Sequence, residues 1–214
     1  MSSQPNYKIK CAELDNALFS LHEYGINPRS REIYLTGWEG PVDEEPGVDY
    51  RMAMKFIRNL SFLNEQGEGN ILVRQCSVGG EWEYGMAIHN AIAASPNHIT
   101  MLCYGHSRSM SSITLQAADL RILMPDCTFM VHHGSIYMED THRGAVSYME
   151  HANRDADRMV EIYAERCNLT ERQLKNRMDK RQEWYMTAEE AVEHGFADGI
   201  LGTEKYPDIA SIRR

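Results

Sequence analysis

Gly105-His106-Ser107-Arg108-Ser109-Met110-Ser111-Ser112 is the stretch on which the reading of this chain turns. Before it, residues 99–104 form a β-branched, apolar run that reads as a buried strand; after it, residues 113–118 read as the body of a helix. A serine at that junction sits on a sharp turn with its hydroxyl exposed. The helix that starts there aims unpaired backbone N–H groups, and the positive end of its dipole, at whatever the hydroxyl attacks. Strand, glycine turn, serine and helix is how several unrelated hydrolases hold a nucleophile. Taken alone, the stretch favours a plainer reading, in which Ser107, Ser109, Ser111 and Ser112 are helix caps and turn residues.

Working outward, residues 70–75 read as a strand followed by the pair Gly79-Gly80, and a helix over 84–94 ends before Pro96. Further upstream are a strand at 31–36 closed by Gly37, an acidic, turn-rich loop at 40–47, and an amphipathic helix over 50–64. The first thirty or so residues are weakly patterned and fit either a short helix around 12–23 or an arm that orders on assembly. Downstream, two short strands at 119–124 and 128–131 flank Pro125-Asp126. A long helix over 144–166 carries Ala145, Tyr148, Met149, Ala152, Ala156, Met159, Val160, Tyr163 and Ala164 on one face. Thr170 with Gln173, and Thr187 with Glu190, are capping boxes that open two more helices, the second ending at Gly195. Strand and helix alternate from residue 31 onward, which predicts an α/β domain with a largely parallel sheet buried on both faces.

The totals agree with that. A chain of 214 residues with 43% apolar residues suits one domain with a proper core. The net charge is −9, and the 22 Lys and Arg are scattered, so no nucleic-acid partner is expected. Residues 1–10 lack the apolar core of a signal peptide, and no stretch approaches the length of a membrane span. A cytoplasmic protein with no membrane partner is the expectation. Cys11, Cys76, Cys103, Cys127 and Cys167 are odd in number, widely spaced and mostly embedded in apolar runs, so they read as reduced core thiols without zinc-ligand spacing or a disulfide framework.

A serine nucleophile needs a base, a group to orient the base, and donors for the oxyanion. His132 stands at the end of a strand 23 residues after Ser109. Its neighbour His133 would face the other way if the strand continued, so only one of the pair can readily approach the serine. By itself His132 reads more readily as a structural histidine. Gly79-Gly80 either lets the backbone present N–H groups to a ligand or is an ordinary turn.

The combination decides between these readings. Cys76-Ser-Val-Gly-Gly80, Gly105-His-Ser-Arg-Ser-Met110, the run from Leu123-Met-Pro-Asp126 to His132, and the run from Tyr185-Met-Thr-Ala188 to Asp198 occur in this order. Together they resemble the Clp proteolytic subunit family of self-compartmentalising serine peptidases, over residues 29–203. The resemblance implies the Clp/crotonase-like α/β fold of repeated β-β-α units with a long oligomerisation helix. It implies an N-terminal arm at 1–28, a peptidase domain at 29–203 and a C-terminal tail at 204–214. Carried over residue by residue, Ser109 matches the nucleophile, His132 the general base, and the backbone N–H groups of Gly80 and Met110 the oxyanion hole. The third triad position, Asp in the family, falls on Glu183, with Asp179 as the substitute. No metal or organic cofactor is implied.

The resemblance further implies a polypeptide substrate and a homo-oligomer of stacked heptameric rings, in which the segment around 144–166 makes ring-to-ring contacts. No phosphate-binding loop of the Gly-x-x-x-x-Gly-Lys type is present, so an ATP-dependent unfoldase would be a separate partner. Departures from the pattern are Val78 for the loop proline and Ser107-Arg108 for a small pair. Arg108 either binds a substrate carboxylate or, the favoured readings, meets a neighbouring subunit or points to solvent, and Trp82 is expected either in a substrate pocket or in a core or interface. His132, His133, His142 and His151 form a His-rich segment without the spacing of a metal site. The divergence fits a specialised member such as a phage head-maturation peptidase, with capsid and scaffold proteins as partners. Two alternatives remain: a non-catalytic ring subunit, and a crotonase-like enzyme acting on acyl-coenzyme A.

Overall fold

The computed structural model describes residues 7–35, 45–136 and 138–213, with side chains from residue 13 on. In chain order the elements are α1 (Tyr7–Tyr24), β1 (Ile26–Asn27), β2 (Glu32–Leu35), α2 (Tyr50–Glu65), β3 (Ile71–Ser77), α3 (Trp82–Ala93), β4 (Ile99–Arg108) and α4 (Met110–Leu115). They continue with β5 (Leu120–Leu123), β6 (Thr128–Val131), α5 (His142–Arg166), α6 (Glu171–Asp179), β7 (Trp184–Met186), α7 (Ala188–Glu193) and β8 (Gly199–Ile200). A 3-10 turn follows at Ile209–Ile212. The end of the first expected strand at Thr36 and Gly37, and most of the expected acidic loop at 40–47, lie outside the described residues.

The sheet runs β1-β2-β3-β4-β5-β8, with β6 joined to β4 and β7 to β6. All pairs are parallel except β1 with β2 and β6 with β7. This is the α/β class that the alternation predicts. The principal core lies between the sheet and helices α2 to α7, around Phe56, Ile88, Met101, Leu115, Phe129, Tyr163 and Phe196. A smaller cluster, with Leu72, Leu102 and Ile122, is covered by Tyr206 and Ile212 from the C-terminal segment. That segment, read from sequence as a tail, is anchored: Thr100 Oγ1 donates to the Ile212 carbonyl at 2.9 Å, and Arg213 Nη1 to the Ser30 carbonyl at 2.6 Å.

β4 is the element that positions the site, and it is longer than the expected 99–104. Its first half pairs with β5 at Thr100↔Leu120 to Cys103↔Leu123; its second half pairs with β6 at His106↔Thr128 to Arg108↔Met130. The strand therefore forks the sheet. Against β3 the register slips between Gln75↔Cys103 and Ser77↔Ser107, a bulge that re-aims the end of the strand. Polar Gly-His-Ser-Arg looks like a loop in sequence because its partner strand lies some twenty residues downstream. β7 and β8 were likewise not anticipated: each is at most three residues long and takes its strand character from the neighbour it pairs with.

α5 also departs from expectation. Its predicted face divides: Met159, Val160 and Tyr163 are buried, as is Ile162 beside them, whereas Tyr148 and Met149, with neighbouring Val146, are 42–47% exposed. Among the described residues, no helix is long and apolar enough to cross a membrane.

Candidate active site

Ser109 occupies the N-cap position of α4 but makes no capping hydrogen bond with its side chain. Instead, its Oγ lies 2.7 Å from His132 Nε2. The pairing follows from the strand register: Ser109 N donates to the Met130 carbonyl at 2.9 Å, so the turn is laced to β6, and His132 is the first residue beyond that strand. Ser109 has φ 52° and ψ −127°, a conformation that costs an L-residue about 1–3 kcal/mol. Such strain persists only where the surroundings enforce it.

The enforcement comes from below. Gln75 Nε2 donates to Ser107 Oγ at 2.9 Å and to the Ser111 carbonyl at 3.1 Å, and Ser111 Oγ donates to Ser77 Oγ at 2.7 Å. Ser112 Oγ donates to the Ser109 carbonyl at 2.6 Å, which leaves the Tyr163 hydroxyl, 2.7 Å away, as donor to Ser112. Burial pushes the Tyr163 phenol pKa far up, so it stays protonated and able to donate. The four serines thus have different jobs: Ser107 and Ser111 are buried ties, Ser112 holds the turn, and Ser109 alone meets a histidine. Gln75, Ser77 and Tyr163 escaped the sequence reading; a glutamine within the buried run of β3 was the available signal.

The glycine pair closes against this turn. Gly79 has φ +98°, and a Cβ there would stand 2.6 Å from Ser109 Cβ, so only glycine fits. Gly80 forms an isolated parallel bridge with Val48: Val48 N donates to the Gly79 carbonyl at 2.6 Å, and Glu81 N to the Val48 carbonyl at 2.8 Å. Among the described residues, the backbone N–H groups of Gly80 and Met110 have no hydrogen-bond partner. A cavity of about 590 Å³ is lined by Gly80, Trp82, Ser109, Met110 and His132, with Tyr148, His151 and Asp155 of α5 opposite. Trp82 also packs against the principal core, in line with the expected core role.

Burial lowers the His132 pKa below the ordinary imidazole value; the Glu183 carboxylate works against that shift, and His133 adds to it. The imidazole is therefore neutral at pH 7 and able to accept a proton. Glu183 is close enough to act on His132 through its charge, but its Oε2 accepts from the Tyr185 hydroxyl at 2.8 Å. Among the described residues, Ser109 is the one hydrogen-bond partner of His132. Asp179, the substitute acid, faces the other histidine: its Oδ1 is 3.1 Å from His133 Nε2. Arg108 does not run out into solvent; its guanidinium lies over the Tyr185 ring at 5.6 Å, and its buried Nε has no hydrogen-bond partner among the described residues. In the His-rich segment, His151 Nε2 stands 3.6 Å from Asp155 Oδ2 one helical turn on, a pairing that the sequence reading passed over.

Comparison with known proteins agrees with this geometry. A family model described as Clp protease matches residues 40–204. The ATP-dependent Clp protease proteolytic subunit of Deinococcus radiodurans is 26% identical over 157 residues, covering 72% of this chain and 76% of that protein. The ATP-dependent Clp protease proteolytic subunit 2 of Pseudomonas aeruginosa is 26% identical over 187 residues, covering 86% and 87%.

Proposed function

Because the chain belongs to the Clp protease family, we propose that it is a serine endopeptidase in which Ser109 is the nucleophile and His132 the general base. The observation that carries this reading is the 2.7 Å contact between Ser109 Oγ and His132 Nε2 on a strained turn that opens into a cavity. In this mechanism Ser109 Oγ attacks the peptide carbonyl while His132 takes its proton and returns it to the leaving amine. The N–H groups of Gly80 and Met110, without a hydrogen-bond partner among the described residues, receive the oxyanion in acylation and again when water hydrolyses the acyl-enzyme. Glu183 stabilises the imidazolium by its charge; Tyr185 sets where that charge sits.

The assembly that goes with this reading is a set of stacked heptameric rings enclosing a chamber, with residues 29–203 as the peptidase domain and the rings in the cytoplasm. Its support is the exposed apolar surface of Val146, Tyr148 and Met149 on α5 and of Leu14, Leu18 and Phe19 on α1, which isolated subunits would leave in water. The relatives are named for ATP dependence; an unfoldase would be a separate chain here. A phage head-maturation role, with capsid and scaffold proteins as substrates, is the specialised form of this proposal. A second reading, a ring subunit without activity, draws on the Glu183 carboxylate being bonded to Tyr185 rather than to His132.

Labelling with a fluorophosphonate probe decides between the two. The adduct, located by mass spectrometry, is expected on Ser109 and is expected to vanish in Ser109→Ala and His132→Ala. An assembled protein that takes no label removes the peptidase reading and leaves the inactive ring.

A further inference from the structure

Outside the site just described, one cluster brings together three side chains of metal-binding type from three separate segments. Glu45 Oε1 is 2.7 Å from His106 Nε2, and Cys76 Sγ is 3.9 Å from the same nitrogen. The three donor atoms lie within 4.8 Å of one another. The sheet explains the meeting. Ser77 and Ser107 are register partners pointing into the buried network, so their neighbours Cys76 and His106 emerge together on the opposite face.

We propose that Glu45, Cys76 and His106 form a binding site for one Zn²⁺ ion. Zinc bound tetrahedrally at about 2.0–2.3 Å from oxygen, nitrogen and sulfur donors sets those donors about 3.3–3.6 Å apart. The observed 2.7 Å between oxygen and nitrogen falls about 0.6 Å short of that range and the 3.9 Å between sulfur and nitrogen about 0.3 Å beyond it, so the side chains open their hydrogen bond and turn to admit the ion. Thiolate, imidazole and carboxylate together suit zinc better than magnesium or calcium, which take oxygen ligands. His106 has 18% and Glu45 38% of its side chain exposed, so solvent can reach the fourth coordination position and take up the thiol proton released on binding. No short ligand motif marks this cluster, because the donors lie 31 and 30 residues apart along the chain.

The site's position gives it a consequence that rests on the peptidase reading, although the binding itself does not. Glu45 precedes Val48 by three residues, Cys76 precedes Gly79 by three, and His106 precedes Ser109 by three. An ion on all three donors ties together the supporting bridge, the oxyanion loop and the nucleophile turn.

The test is metal titration of the intact, reduced, chelator-stripped protein. With Co²⁺ as the probe, about one equivalent per chain is expected, with a thiolate charge-transfer band that Zn²⁺ abolishes. Cys76→Ser is expected to remove that band, and His106→Gln and Glu45→Gln to weaken Zn²⁺ binding at least tenfold in competition with a chromogenic chelator. A measurement that needs no variant is alkylation: Zn²⁺ is expected to slow carboxymethylation of exposed Cys76 at least tenfold and leave that of Cys167 unchanged. Failure of the wild-type protein to bind Co²⁺ stoichiometrically, a charge-transfer band that survives Cys76→Ser, or alkylation indifferent to zinc each overturns the proposal. Fluorophosphonate labelling of Ser109 reads the peptidase chemistry independently of all three.

Discussion

The turn that carries Ser109 rests on Gln75, Ser77, Ser111 and Ser112, all buried or nearly so and linked by hydrogen bonds of 2.6–3.1 Å. On the other side of His132, residues 179–183 are exposed throughout, and the carboxylate they offer is bonded to an equally exposed tyrosine. A buried polar network that is fully paired fixes one geometry, because every alternative strands a donor or acceptor away from water. An exposed hydrogen bond exchanges readily with water and fixes little. The turn of Ser109 is therefore held rigidly by the fold, while the Glu183 carboxylate is free to be repositioned.

Substitutions that break this contrast rank by expected size. On the proposed mechanism, Ser109→Ala or His132→Ala lowers peptide hydrolysis by up to about 10⁶-fold, with unchanged thermal unfolding, as read with a fluorogenic peptide beside a melting curve. Gly79→Ala forces a Cβ against Ser109 and displaces the oxyanion loop; a fall of about 10²–10³ in kcat is expected. In the supporting structure, Asp198 accepts from Arg121 Nη2 at 2.6 Å and Nε at 3.1 Å. Asp198→Asn is expected to cost about 3 kcal/mol in denaturant unfolding, at the low end for a buried pair because Asp198 is partly exposed. Burial acts to raise the Asp198 pKa, but the bonds and charge of Arg121 outweigh it and hold the carboxyl below 3.8. Its contribution is accordingly complete above that value and lost as pH falls through the lower folded one.

The acid side of the comparison predicts smaller effects. Glu183→Gln is expected to lower kcat about tenfold, well short of the loss that a tightly bonded triad acid gives. Because the Glu183 charge holds the His132 pKa up against burial, its removal moves the acid limb of the kcat/KM profile to lower pH. Asp179→Asn, on the His133 side, leaves that limb in place. Tyr185→Phe releases the Glu183 carboxylate toward His132, and a rise in kcat of about twofold is expected, the worth of one exposed hydrogen bond.

The same contrast explains what the sequence disclosed. Helices α2, α3 and α5 and strands β3, β5 and β6 announce themselves by local periodicity and caps, and the order of the motifs carries Ser109 and His132. The second half of β4, together with β7 and β8, owes its strand character to pairing with distant segments, so no local pattern marks it. Gln75, Tyr163 and Val48 matter through contacts made across the fold. Glu183 follows from motif position, but its bond to Tyr185 does not, because the alternation of an unrecognised strand sets where both side chains point.

Mechanically, α5 is a cantilever. Its 25 residues make a rod about 37 Å long. It is clamped toward one end, where Met159, Val160, Ile162 and Tyr163 enter the core, while Val146, Tyr148 and Met149 toward the other end stay exposed. A load applied at the free end is reacted at the clamp, and the clamp includes the tyrosine that donates to Ser112, which in turn holds the Ser109 carbonyl. Whatever seizes the exposed end therefore bears, two hydrogen bonds further on, upon the Ser109 turn.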